Sequence, residues 1–174
     1  TYLEQGELRW YILKRGESYG VRLRDLQHPR IRELESIPSY PVSTEYVVEA
    51  NLHPFQSPKT MTVQTPVEGF TESYECPGEL HFKLKGRKLS LHPFSSGKGY
   101  FLVIADETSG RETYGAGRFM YCIPDSAGRI ILDFNRAYNP PCAFSPYATC
   151  PMPPPENFLP VAIEAGEMYT GEAH

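Results

Sequence analysis

Residues 111–157 read RETYGAGRFMYCIPDSAGRIILDFNRAYNPPCAFSPYATCPMPPPEN. The block holds two β-rich runs, 117–123 and 129–134, separated by Pro-Asp-Ser-Ala-Gly at 124–128. Those are turn residues, so the runs are expected to be strands joined as a hairpin. Beyond Phe134 the texture changes. Between residues 139 and 160 there are eight prolines in 22 residues, and Cys142, Phe144, Tyr147, Cys150, Met152 and Phe158 lie among them. A flexible linker would be polar. A proline-rich segment this apolar is expected to be an ordered loop packed over the sheet.

The rest of the chain has the same strand-and-turn grain. Residues 8–14 (LRWYILK) and 19–26 (YGVRLRDL) flank a turn at 15–18. In the second run Val21 and Leu23 alternate with Arg22 and Arg24, the pattern of a half-buried hairpin. The arginine pair suits a solvated face or an anion site. Residues 28–37 place Ile31 and Leu34 at helical spacing for a turn or two, and Pro38 and Pro41 end it. Residues 45–52 and 59–65 read as strands with a turn at 53–58. Residues 100–105 (YFLVIA) are nearly all apolar and read as a central strand buried on both faces. Residues 106–110 (DETSG) form a turn. Residues 159–164 read as a last strand, and 168–174 as a terminal tail in which His174 carries no functional weight.

Residues 80–84 (LHFKL) and 88–92 (KLSLH) flank Lys85-Gly86-Arg87. A loop at Lys85-Gly86 would oppose Leu84 to Arg87. A loop at Gly86-Arg87 pairs Leu84 with Leu89 and Phe82 with Leu91, and this register is the one expected. It sets His81 opposite His92, with Cβ atoms about 4.5–5.5 Å apart. Two imidazoles at that spacing suit an exposed cross-strand pair or half of a metal shell. No third ligand is evident, so no metal site is expected from His81 and His92.

Composition bounds the class. The 174 residues are 40% hydrophobic and 13% aromatic, which fits a folded domain and excludes disorder. Seventeen basic against 21 acidic residues give a net charge of −4. Non-specific nucleic-acid binding needs a basic field, so no nucleic-acid partner is expected. No 18-residue apolar run exists, so no membrane partner is expected either. The chain starts at Thr1 without a Met. It is read as a fragment lacking upstream sequence, and its location as cytoplasmic. The expected fold is mainly β: one domain over 1–174, an antiparallel β-barrel or β-sandwich of about nine short strands, with 139–160 as a covering loop.

The segments Glu112-Thr113-Tyr114-Gly115-Ala116-Gly117-Arg118, Leu132 through Phe144 (LDFNRAYNPPCAF), Thr149-Cys150-Pro151 and Pro155-Glu156-Asn157 carry a family resemblance. They resemble DUF1684, a bacterial and archaeal family of unknown function. The turn at 106–110 and Ala165-Gly166-Glu167 match as well. The likeness is densest from about residue 78 to 167. It implies no activity, cofactor or catalytic residue.

The charged residues of the motif block are the candidate site. Asp133 and Asn135 alternate with Phe134 and Arg136 at a strand end, and both faces of that strand have an apolar member. Polar groups in such a place need partners. A cluster of Glu112, Arg118, Asp133, Arg136 and Asn139 under the proline-rich loop would provide them. One reading is a network that pins the loop, making the protein a non-catalytic structural or interaction module. The other is a pocket for a small anionic molecule. There Arg118 and Arg136 would grip the anion, Glu112 or Asp133 would act as acid or base in a hydrolytic reaction, and Tyr114, Tyr138 and Asn139 would line the site. The pocket reading is the leading one. Gly115-Ala116-Gly117 lacks the Lys-Ser/Thr and helix of a phosphate loop, so these glycines serve a bulge or close backbone approach. Cys142 and Cys150 are assigned structural roles; as a local disulfide, a half metal site or two buried thiols, the pair stays open. Oligomeric state does not follow from the sequence.

Overall fold

The computed structural model describes residues 2–15, 18–33 and 36–171. The chain divides into two compact units, Thr1–Ile37 and Pro38–His174. Gly16 and Glu17 of the first expected turn, Leu34 of the expected helix, and His174 lie outside the described residues.

The first unit is a three-stranded antiparallel sheet, β1 (Leu3–Gln5), β2 (Leu8–Arg15) and β3 (Ser18–Asp25), followed by the single-turn helix α1 (Arg30–Glu33). Ile12 faces Val21 across the hairpin and Trp10 faces Leu23. The expected half-burial does not hold, because Val21 and Leu23 remain 65% and 57% exposed. Alternation placed both on one face, but alternation does not say that anything covers that face.

The second unit begins with the longest strands. Strand β4 (Val47–Gln64) runs straight through the turn expected at 53–58, and β5 (Thr71–Leu84) pairs with it along nearly its whole length. The ladder shifts register between Pro54 and Lys59. A bulge absorbs Pro54 and Pro58, which cannot donate to the ladder. Opposite them sits Gly78, where a Cβ would collide with the His53 carbonyl and lie 2.7 Å from Pro54 Cα.

Strand β6 (Arg87–Leu91) pairs Leu84 with Arg87, Phe82 with Leu89 and Leu80 with Leu91. The expected register is therefore wrong by two residues, and His81 faces Ser90 rather than His92. A two-residue slip keeps every side chain on its original face, so the apolar pattern could not separate the alternatives. The loop chemistry decides. Lys85 and Gly86 have φ of 47° and 77°, the two positive values a type I′ turn requires. Lys85 is held there by Nζ hydrogen bonds to the Ala162 carbonyl (2.9 Å) and Glu164 Oε2 (3.3 Å).

Strands β7 (Phe94–Ser96), β8 (Gly99–Asp106) and β9 (Arg118–Cys122) form the other sheet of this unit. β8 is its centre: Phe101 through Ile104 are buried, as the unbroken apolar run anticipates. Strand β10 (Ile130–Asp133) exists but does not complete a hairpin with β9. It pairs with β4, while β9 pairs with β8, so the turn at 124–128 carries the chain from one sheet to the other. The last strand is only β11 (Phe158–Leu159), parallel to β8; residues 160–164 are irregular.

The protein is thus mainly β, with antiparallel sheets. The strands form three sheets, and among the described residues no closed barrel is made. One core cluster joins the two sheets of the second unit through Leu80, Phe82, Leu91, Leu102, Ile104, Met120, Leu132 and Phe134. The proline-rich segment is ordered, with 3-10 turns at Pro141–Ala143 and Pro155–Asn157, and it buries Cys142 and Cys150 in a second cluster with Val63, Phe101 and Phe119. Asn157 is completely buried. Its amide accepts from His92 N (2.7 Å) and donates to the carbonyls of His92 and Val103 (3.0 Å each). One side chain thereby replaces ladder bonds between β8 and the segment after β6. Among the described residues, no helix is long and apolar enough to cross a membrane.

Candidate functional site

β8 ends at Asp106 and β9 starts at Arg118, directly across from Ile104. The strand ends bring the two side chains together inside the protein. Arg118 Nη2 donates to Asp106 Oδ2 at 2.9 Å, and neither side chain has any solvent exposure. The sequence reading did not select Asp106. A signal was present: a carboxylate closing a strand buried on both faces needs a cation or several donors.

The segment between the strands is built to hold this pair. Asp106 Oδ1 accepts from Thr108 N (2.9 Å), Thr108 Oγ1 (2.7 Å) and Ile163 N (3.1 Å). The backbone N–H groups of Arg111, Glu112 and Thr113 all donate to the Thr108 carbonyl. Gly117, at φ 86°, lies so close to Pro153 and to the Ile104 carbonyl that a Cβ would stand 2.5 Å from that oxygen. The second glycine of the Gly-Ala-Gly motif therefore serves close backbone approach.

Arg118 directs its other Nη donors at the C-terminal segment. Nη2 donates to the Ile163 carbonyl (3.0 Å), and Nη1 to the carbonyls of Ala165 and Glu167, the latter at 3.3 Å. The segment is also held by Tyr40 N to Gly166 O, Met168 N to Pro38 O and Tyr169 N to Glu112 O. Asn139 reaches the same place: its N–H donates to Glu167 Oε2 (2.7 Å) and its Nδ2 to the Met168 carbonyl (2.9 Å). Residues 163–169 are thus a strip to which Tyr40, Glu112, Arg118 and Asn139 are all attached.

Four polar atoms around this strip are buried without a hydrogen-bond partner: Tyr40 Oη, Glu112 Oε2, Arg118 Nε and Asn139 Oδ1. The Tyr40 phenol is pushed above its ordinary range, first by burial and then by the Glu112 carboxylate, with Arg118 pulling the other way. Tyr40 therefore lies within the field of both. Glu112 keeps 41% side-chain exposure, and its Oε1 is 3.3 Å from Arg111 Nη2.

The other residues singled out in the sequence have different surroundings. Asp133 caps the 3-10 turn Phe134–Arg136: its Oδ1 accepts from Asn135 N (3.1 Å) and Nδ2 (2.9 Å), and Asn135 in turn bonds the Ser43 backbone. Arg136 is exposed. Tyr138 makes a β-bridge with Phe119 and packs edge-on against its ring, and burial pushes its phenol up to about 12. Tyr114 stands edge-on to Tyr169 and donates to the Cys142 carbonyl at 3.2 Å; burial carries its phenol well above the usual tyrosine range. The histidines meet through a residue the sequence reading passed over. His81 Nε2 lies 2.8 Å from Glu79 Oε2 and His92 Nε2 lies 3.5 Å from Glu79 Oε1, while His53 stacks on His81. The hydrogen bond from His81 is the main reason that the Glu79 carboxyl is held below its ordinary value. No group of three or more His, Cys, Asp or Glu among the described residues is arranged to hold a metal ion.

Residues 32–168 match the family model described as protein of unknown function (DUF1684), and the chain belongs to that family. The fold is similar to the solution NMR structure of an uncharacterized protein from gene locus rrnAC0354 of Haloarcula marismortui. That chain is 33% identical, with a TM-score of 0.66, and the likeness covers 81% of this chain and 80% of that one. No match was found among curated proteins.

Proposed function

We propose that this DUF1684 protein binds a small polar molecule beside the 163–169 strip, at Tyr40, Glu112, Arg118 and Asn139. The supporting observation is the set of four buried, unpartnered polar atoms. Leaving such atoms unpaired costs about 1–3 kcal/mol each, so their concentration in one place favours a bound polar molecule or ordered water there. Their chemistry describes that partner. Glu112 Oε2 and Asn139 Oδ1 only accept, Arg118 Nε only donates, and the Tyr40 hydroxyl does either. The ligand must offer at least two donors and one acceptor.

Charge refines the description. The Arg118 cation is already neutralised by Asp106, and Glu112, Glu164 and Glu167 border the same strip. Arg136 is exposed while Arg118 is fully buried, which weighs against a two-arginine grip on an anion. These observations support a neutral or cationic ligand, such as an amine, amide or polyol, over the anionic one expected from the sequence. Glu112, half exposed and with one unpaired oxygen, is the residue placed to take a proton from it. The scaffold is the pair of sheets sharing one core, which we read as a sandwich.

A second reading has its own observation. Arg118 is completely buried and its guanidinium holds three carbonyls of the C-terminal segment. That favours a structural pin, with the module acting through its surface. A thermal-shift screen of amines, amides, polyols and carboxylic acids separates the two. Binding predicts that a neutral or cationic compound raises the melting temperature and that Glu112→Gln and Tyr40→Phe abolish the rise. If no compound in the panel stabilises the protein, or the rise survives both substitutions, the pin reading stands alone.

A further inference from the structure

Cys142 lies on the 3-10 turn Pro141–Ala143, and Cys150 lies eight residues on, in the same proline-rich cover. The two meet. The Cys142 backbone N–H donates to Cys150 Sγ at 3.2 Å. That contact sets the Cys150 sulfur beside the residue that carries the Cys142 thiol. Both belong to the buried cluster with Val63, Phe101 and Phe119. No disulfide joins any cysteines among the described residues.

The surroundings set this pair apart from the other two cysteines. The bond from Cys150, and then those from Tyr114 and the backbone, pull the Cys142 thiol down to about 7 against the opposing effect of burial. Burial pushes the Cys122 thiol up to about 11 and raises that of Cys76, which donates to the Gly78 carbonyl. Of these thiols, Cys142 is the one drawn toward the thiolate, while burial holds Cys76 and Cys122 toward the thiol.

We propose that Cys142 and Cys150 are a reversible dithiol–disulfide pair, closed by small-molecule disulfides, which fastens the proline-rich cover across its own base. The Cys142 thiolate attacks one sulfur of the small disulfide, the S–S bond breaks, and the departing thiolate takes a proton to leave as a thiol. Cys150 then loses its proton and attacks Cys142 Sγ, expelling the second small thiolate, which is protonated in turn. From dithiol to disulfide the protein gives up two protons and two electrons, and the small disulfide takes them up to become two thiols.

The test uses the whole reduced chain with glutathione disulfide at neutral pH, read by intact mass and peptide mapping. The expected product is lighter by about 2 Da, retains no glutathione, and yields a cross-linked peptide containing Cys142 and Cys150. Cys142 is expected to react at least about tenfold faster than Cys76 or Cys122. Cys150→Ser should trap a glutathione adduct on Cys142. The proposal is overturned if wild-type protein keeps glutathione on Cys142 without closing the ring, or if the pair oxidises only in denaturant. Should Cys150→Ser fail to fold, the wild-type product decides alone.

Discussion

Replacing Arg118 by Met removes the cation that Asp106 was folded around. The side chain is nearly the same size, so packing changes little and the electrostatic loss dominates. Asp106, with 0% side-chain exposure, is left as an unpaired buried charge, and the carbonyls of Ile163, Ala165 and Glu167 lose their donor. Breaking a buried pair from one side costs about 3–5 kcal/mol, against a total stability of about 5–15 kcal/mol. With a urea slope of about 1–3 kcal/mol/M, the midpoint should fall by roughly 1–5 M. Far-UV circular dichroism against urea measures it, and hydrogen exchange at the Ile163 amide, which donates to Asp106 Oδ1, reports the local loosening. Asp106→Asn keeps an oxygen for Thr108 and Ile163 but strands the arginine. The double variant removes both charges, so it should be less destabilised than the sum of the singles by about 1–3 kcal/mol. A loss below about 1 kcal/mol for Arg118→Met, or strict additivity in the double variant, would refute the account of this pair as the anchor of the C-terminal segment.

Three further expectations follow from other parts of the fold. Asn157→Ala strips partners from His92 N, His92 O and Val103 O, and should cost about 2–4 kcal/mol in the same urea assay, with faster exchange at the His92 amide. Gly117→Ala meets both a positive φ and the Ile104 carbonyl, so a loss of at least about 2 kcal/mol is expected, whereas Gly115→Ala, whose Cβ would stand 3.5 Å from Gly110 Cα, should cost less. Stability should fall in alkali. Burial holds Cys122 protonated up to about 11, against 9.0 for an unperturbed thiol, and Tyr138 up to about 12, against 10.0. The unfolded chain releases those protons first, so the folded state binds more of them between pH 9 and 12 and loses stability as pH rises through that window. Cys122→Ala should flatten the slope measured by urea titration across those pH values, even though it lowers stability at neutral pH.

The strands, the buried centre at β8 and the ordered proline-rich cover were readable from local pattern, because each depends on a few neighbouring residues. Pairing was harder. The Phe82–Leu89 and Phe82–Leu91 registers place the same residues on the same face, and only the positive φ of Lys85 as well as Gly86 separates them. The residues at 53–58 looked like a turn because Pro54 and Pro58 break ladders, yet a bulge opposite Gly78 let one strand continue.

The site shows the same division more sharply. Sequence alone selected Glu112, Arg118 and Asn139 as polar groups in need of partners, and it identified the family from the motif block that contains them. It placed Arg118 in one cluster with Glu112, Asp133, Arg136 and Asn139, its neighbours in the motif block. Folding gave it Asp106, twelve residues back but one strand over, and gave Asp133 to Asn135. Periodicity and turn chemistry are properties of consecutive residues, so the chain announces its strands and its family. Which buried charge meets which is a property of strand ends brought together across a sheet, so the ion pair, the strip it holds and the unpartnered atoms beside it emerge only in the folded protein.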